Sequence, residues 1–581
     1  MPPCATAARH VAYRGARATS APPHHERLGD SVSASTEVAE YGLKRQLSRL
    51  NILQITINSI IGTGWLFSAM NAASIAGPAA LLAWFVAIAI LVLIAFNHAE
   101  LGAMFSVAGG SARFVHYSHG TLAGFGIGWM AWIYGAATAP IEVEGVLSYA
   151  EGYTHLNLFH VDGTLTPLGY VVAIALLAVF VVLNLFAIKA LGRVHNAITW
   201  WKIGTIVLVI AAILFARFQP SNFHSHGFAP YGFHGVLAAV AIGGIVFAYT
   251  GFEQAVQLGA ETKNPGRNIP FALLGSLVVC SILYIGLQVA YIGALSPAKL
   301  AHGWEGTSVD VTTGPFAALA TSLGLGLIAA IVYIDSVVSP SGNGIAYVTS
   351  TARVTYGMGR NGYIPDVVTR VDKRGVPVIG VIISFVVGLL CLLPFPSWQS
   401  LLGFLTSATA MLWAGVPIAL GSLRRSFPDA ARPFRLRPAG LWAPLGFAAA
   451  NLLVYWTGWE TDWKVFAAIA IGYAVFFINR AFQQAEDRPN LDFRSSWWVW
   501  VWILGTAAIS YMGAFGQASH PSGLGYLSFP YWDTAVMVAF SLAVYYLAIA
   551  TRLPTEKAQQ YAPSDGELNL ESREMRAANL G

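Results

Sequence analysis

The chain has 581 residues, 56% of them hydrophobic and only 10% charged, with a mean hydropathy of +0.58. So little polar surface cannot enclose a water-soluble globule of this size, and the composition is that of a chain crossing a lipid bilayer many times. The formal charge of +5 comes with no basic stretch interleaved with aromatics, so it gives no support to a nucleic-acid partner, and Cys4, Cys280 and Cys391 are too scattered for a disulfide framework or a metal site.

Residues 1–42 mix Arg, His, Ser, Pro and Ala without the apolar run of about 7 to 15 residues that a signal peptide needs. They read as a disordered cytoplasmic tail. Stretches long enough to span a bilayer, about 17 to 25 residues each, follow at 52–73, 79–100, 122–146, 168–190, 195–216, 235–257, 271–294, 314–339, 376–394, 399–422, 441–458, 463–483, 497–515 and 531–550. The expected class is therefore an all-α polytopic membrane protein with fourteen spans. Lys and Arg collect in every second loop. With the N-terminus cytoplasmic, only Arg217, Lys299 and Lys464 fall outside, which places the C-terminus, including the polar tail 551–581, on the cytoplasmic side as well. The polar connection from Thr351 to Val376 carries Arg353, Arg360, Arg370, Lys373 and Arg374 and predicts a short interfacial helix. The tryptophan run at 497–502 predicts an interfacial belt.

The first span holds Ser59-Ile60-Ile61-Gly62-Thr63-Gly64-Trp65, a glycine pair within an apolar run. Glycine weakens a helix by roughly 1 kcal/mol relative to alanine. A backbone opened in lipid survives only where it lines a cavity, so this segment predicts a broken helix at a substrate site for a small polar ligand. Thr63-Gly64-Trp65 is echoed by Thr250-Gly251-Phe252 in the sixth span. An offset of five spans is what an inverted repeat of spans 1–5 and 6–10 would give, with its two broken helices meeting near the midplane.

Four segments together resemble the amino acid–polyamine–organocation transporter superfamily. They are Leu43-Lys44-Arg45-Gln46-Leu47-Ser48 with Ile60-Ile61-Gly62-Thr63-Gly64; Ala99-Glu100-Leu101-Gly102-Ala103 with Ala108-Gly109-Gly110-Ser111; Phe247 to Glu253 with Glu261 to Pro270; and Ser350-Thr351-Ala352-Arg353 with Tyr356-Gly357-Met358 and Asn361 to Pro365. Ile334-Asp335-Ser336-Val337-Val338-Ser339-Pro340 is similar to a branch often called aspartate–proton symporters. The resemblance implies a five-plus-five inverted-repeat core over 43–423 and peripheral helices over 424–550. It also implies import of amino acids across the cytoplasmic (inner) membrane by alternating access. Proton coupling is the leading expectation; a sodium-coupled symporter, an exchanger or a polyamine/organocation transporter on the same scaffold is the alternative. Spans 13 and 14 exceed the commoner twelve-helix plan.

An amino acid presents a carboxylate and an ammonium on one carbon. Amides of Thr63 and Gly64, at the positive start of a half-helix, suit the carboxylate. Carbonyls near Ile60, and at Phe247, Ala248 and Thr250, suit the ammonium. Lys202, placed near the start of span 5, resembles the lysine that fills a sodium position in some proton-coupled relatives, with a lysine snorkelling to the interface as the alternative. Asp335 is expected at a similar depth, as a partner for Lys202 or as a solvated acid. Glu253 follows the second break, where similarly placed glutamates in relatives are linked to gating or proton sensing. Glu142 and Glu144 are about 200° apart on one helix, so only one can face an outer vestibule; acid there would attract cations and repel aspartate. His98 and His116 flank a loop, and His224, His226 and His234 read as solvated loop histidines without metal-ligand spacing. No cofactor is expected. With no HExxH, GxSxG or P-loop, an enzyme has no foothold.

Overall fold

The computed structural model describes residues 47–107, 109–160, 163–186, 188–307, 314–370, 377–393, 397–486, 488–513, 515, 523–527 and 531–562. The tail 1–42 with Cys4, the lead-in Leu43 to Gln46, Lys373, Arg374 and most of the tail 551–581 lie outside these residues.

The helices in chain order are α1 Arg49–Ile60, α2 Gly64–Ala76, α3 Ala80–Met104, α4 Gly110–His119, α5 Thr121–Thr154, α6 Pro167–Phe186, α7 Ile188–Ala216, α8 Gly232–Ala241, α9 Ile245–Tyr249, α10 Gln254–Gln257, α11 Pro265–Ala294, α12 Pro297–Leu300, α13 Pro315–Ser322, α14 Gly326–Arg360, α15 Val378–Leu392, α16 Trp398–Ser426, α17 Ala439–Thr457, α18 Trp459–Phe482, α19 Phe493–Ser496, α20 Trp498–Met512, α21 Trp532–Ala550 and α22 Thr555–Tyr561. Each apolar stretch read from the sequence falls mainly on helix among the described residues. Among the described residues, nine helical stretches are long and apolar enough to cross a membrane, and extended pairing is limited to two isolated bridges, Leu47 with Thr262 and Phe159 with Leu165.

Three elements differ from expectation. The eighth span is two helices: α13, then α14, which runs on through Pro340 to Arg360 and so takes in the start of the predicted interfacial segment. Hydropathy ends this span at the polar run from Ser339, but Ser339 and Asn343 are buried against neighbouring helices, so the helix continues as an internal seam. The sixth span is interrupted twice, at 242–244 and at 250–253. The loop after α3 contains α4, an unpredicted helix that buries His116 and His119.

The last helices are fastened to α16 and α17 by buried polar contacts. Asp462 of α18 accepts from Ser407 (3.0 Å), Thr457 (2.8 Å) and Ser510 of α20 (2.7 Å). Asn451 of α17 bonds Ser541 of α21 and the Trp502 indole. These bonds hold spans 13 and 14 on the body of the molecule.

The buried acid of the Ala99-Glu100-Leu101 segment has a structural task. Glu100, at 0% exposure, accepts from Arg424 Nε (2.7 Å), Arg424 Nη2 (2.5 Å) and the Leu436 N–H (2.7 Å), with Arg432 Nε at 3.3 Å. It ties the end of α3 to the end of α16 and the loop that follows. Removing one partner of a buried ion pair strands the other charge and costs about 3 to 5 kcal/mol. Glu100→Ala should lower the apparent Tm of the detergent-purified protein and its monodisperse fraction. Unchanged thermal unfolding would show that the arginines find other partners.

Candidate functional site

α1 stops at Ile60. Ile61 leaves helical geometry (φ −82°, ψ 93°) and the chain re-enters a helix only at Gly64. Such a gap frees carbonyls at the end of α1 and amides at the start of α2. Charged side chains from other helices meet both. Lys202 Nζ donates to the carbonyls of Ile61 (2.6 Å) and Asn58 (3.0 Å). Glu142 of α5 accepts the Thr63 N–H on Oε2 at 2.7 Å and Asn343 Nδ2, from α14, on Oε1 at 2.9 Å. The cation stands at a helix C-terminus and the anion at a helix N-terminus, the sense favoured by the two dipoles. Thr63, Glu142 and Lys202 all have 0% exposure.

The second break follows Tyr249. Thr250 is extended (φ −56°, ψ 141°) and Gly251 sits at φ 107°, a conformation open to glycine and costly for any other residue. Glu253 caps this turn: Oε2 accepts the Gly251 N–H at 3.1 Å and Oε1 the Tyr134 hydroxyl at 2.9 Å. The Tyr134 hydroxyl also bonds that of Tyr347. A narrow crevice beside it, with no room for a water-sized sphere, is lined by Tyr134, Gly135, Gln254, Gln257, Tyr347 and Ser350 among others. Ser350 Oγ lies 2.7 and 2.5 Å from the side-chain oxygens of Gln254 and Gln257.

The two breaks touch. A Cβ on Gly64 would stand 2.7 Å from Ala248 Cα, and one on Gly251 would collide with the Ser59 carbonyl oxygen. Ser68 Oγ reaches back to the Gly244 carbonyl at 2.8 Å. Trp398 covers the junction, donating its indole N–H to Thr63 Oγ1 at 3.1 Å, with ring centroids 4.8 Å from Phe67 and 5.7 Å from Phe247.

Of the residues named from sequence, Thr63, Gly64, Lys202 and Ala248 come together at this junction, with Thr250 and Glu253 at the second break. The Lys202 ammonium takes the carbonyls of Asn58 and Ile61. Of the carbonyls read from sequence as seats for a substrate ammonium, Ile60 O accepts from the Gly62 N–H (3.1 Å) and the Tyr284 hydroxyl (3.4 Å), and Phe247 O from the Thr250 N–H (3.0 Å) and hydroxyl (2.7 Å). Lys202 lies at the middle of α7, because the helix begins earlier than hydropathy suggests. Asp335 is buried and accepts from Trp201 Nε1 (2.7 Å) and Ser339 Oγ (2.9 Å). It thus meets the residue before Lys202 rather than the ammonium itself. Glu142 stands on the first break and not in an outer vestibule. Glu144 is buried with no hydrogen-bond partner among the described residues.

Sequence reasoning missed Asn58, Asn343, Tyr134, Tyr347 and Trp398. The polar stripe Asp335-Ser339-Asn343, spaced by four residues, was the available signal for a buried α14 face. Two flanking histidines are not solvated: His98 bonds the Ile94 carbonyl at 3.0 Å, and His116 bonds Tyr363 at 2.9 Å and stacks on Tyr561. Burial, with the Arg113 charge nearby, pushes the His116 pKa down to about 3. His224 is exposed, His226 meets the Leu300 carbonyl at 2.7 Å, and His234 packs on Phe515.

Interrupted helices converging on a buried polar centre define a multi-pass membrane transport protein. The chain belongs to the amino acid permease family, whose model matches residues 47–509. It is similar to the glutamate/serine transporter AimA of Bacillus subtilis (strain 168), at 35% identity over 88% of this chain and 95% of that protein. It is 34% identical to the aspartate-proton symporter of the same organism, over 88% of this chain and 97% of the relative, and 26% identical to its branched-chain amino acid permease BcaP, over 78% and 96%. The chain is accordingly a transmembrane amino acid permease and not an enzyme.

The glycine contacts can be tested directly. Gly251→Ala adds a methyl at positive φ and against the Ser59 carbonyl. Amino acid uptake should fall at least tenfold at equal surface expression. Uptake within twofold of wild type would show that the breaks tolerate separation.

Proposed function

We propose that the chain imports amino acids across the cytoplasmic membrane by alternating access in symport with protons, with both termini inside. The observation that carries the coupling is the Lys202 ammonium on the Asn58 and Ile61 carbonyls. A tethered cation stands where a mobile one would otherwise be needed, and it loses its charge only by giving up a proton. A charge within the bilayer costs at least about 2.5 to 3.5 kcal/mol on insertion scales, so a lysine kept there has a task beyond packing. Asp335, bonded to the indole of Trp201, is the group positioned to register that change. Glu253 acts as the gate at the second break.

The substrate's carboxylate would take the amides of Thr63 and Gly64, and its ammonium the backbone between the breaks. The paired interruptions, five spans apart, support a five-plus-five inverted repeat over 43–423, with 424–550 peripheral. The names of the two relatives at 34% and 35% identity bring aspartate, glutamate and serine forward as the first substrates to offer.

Purified protein in liposomes should accumulate one or more of labelled L-aspartate, L-glutamate and L-serine under an imposed inward proton gradient. A protonophore should abolish accumulation, and a sodium gradient should not replace it. Lys202→Ala should lose at least nine-tenths of gradient-driven uptake. Full uphill uptake by that variant, or dependence on sodium in wild type, would overturn proton coupling.

A further inference from the structure

We infer that Glu142 is a tethered competitor for the substrate's carboxylate, occupying the Thr63 amide when the site is empty and yielding it when an amino acid binds. This rests on the reading above, in which the start of α2 seats that carboxylate. A helix N-terminus is a ready anion seat, and here the seat is taken by a carboxylate of the chain itself, 2.7 Å from the Thr63 nitrogen. The second oxygen is held by Asn343. Both side chains lie across Gly62 so closely that a Cβ there would collide with either. A second carboxylate on the same amide would stand against that of Glu142, and two like charges in a buried site repel strongly. One must leave for the other to enter.

The arrangement serves both states. Without a ligand, Glu142 satisfies the buried Thr63 amide. With substrate arriving, it sets a threshold: a ligand must offer a carboxylate that Thr63 and Gly64 bind better than they bind Glu142. An amine has no acceptor with which to displace it, and an amide of an amino acid offers only a neutral carbonyl oxygen, a weaker acceptor than a carboxylate. Glu142 is therefore a specificity-determining residue for ligands with a free carboxylate. Pro140, two residues earlier within α5, removes a ladder bond and gives that stretch of the helix room to adjust.

The test is equilibrium binding of labelled L-serine, L-glutamate and L-aspartate to the full-length detergent-purified protein, with serine amide as the control ligand. Glu142→Gln keeps the shape but offers one oxygen where two donors converge, so one bond is lost and the other loses its charge. Kd for whichever amino acid wild type binds should fall about tenfold, the equivalent of one charge-assisted hydrogen bond. Asn343→Ala loosens the same carboxylate from its other side and should lower Kd about threefold. Serine amide should gain nothing in either variant. An unchanged or raised Kd in a variant that stays monodisperse would make Glu142 a fixed helix cap and overturn the inference. If Glu142→Gln does not fold, Asn343→Ala decides alone by the same criterion. A wild type that binds none of the three amino acids removes the proposed substrate class and this inference with it. Binding by wild type together with weaker binding by the variants removes this inference alone.

Discussion

A helix opened inside a bilayer exposes peptide groups to a medium with nothing to bond them, and each must find a partner within the protein. That constraint organises this molecule. Between Ile60 and Gly64 the ladder is cut, and the two loose ends are met by side chains of opposite charge, Lys202 on the carbonyls and Glu142 on the amide. Each charge-assisted bond contributes on the order of 1.5 to 3 kcal/mol, enough to offset the lost ladder bonds where a neutral contact would fall short. It follows that α5, α7 and α14 must all reach the centre, and the polar residues that look misplaced in their apolar runs are the ones that do.

The second break is closed by other means. Glu253 bonds the backbone of its own turn, and two tyrosine hydroxyls secure it to α5 and α14. Gly251 and Gly64 then let the two breaks come into backbone contact, a distance that any side chain would prevent. The resulting centre has donors, acceptors and both signs of charge within a few ångströms, the chemistry that a zwitterion needs at its two ends.

The spans were legible in the sequence because lipid imposes a length and a polarity on every one of them. Two breaks were legible from a Thr-Gly-aromatic triplet within an apolar run, and Thr63-Gly64 and Thr250-Gly251 are where α2 begins and α9 ends; the interruption at 242–244 was not foreseen. Hydropathy failed where polar residues face inward: α14 continues past Ser339 because that face is buried against α5 and α7, and α4 escaped notice because its ten residues are too mixed to read as a span. That Lys202 would meet the carbonyls of Asn58 and Ile61 was beyond a linear reading, since that pairing depends on how α7 packs against the end of α1. The role of Glu142 was hidden for a related reason: an isolated acid on a helix does not announce its partner.

The two breaks lean on the same two helices. α5 carries both Tyr134, at the second break, and Glu142, at the first; α14 carries Tyr347 and Asn343 at the same two places. On each helix the two residues lie four or eight positions apart, and so on one face. α5 and α14 pack along one another, which makes them a common frame reading both breaks at once. The two breaks are thus joined through shared supports, Glu142 with Asn343 at one and Tyr134 with Tyr347 at the other, as well as through the direct contacts at Gly64 and Gly251.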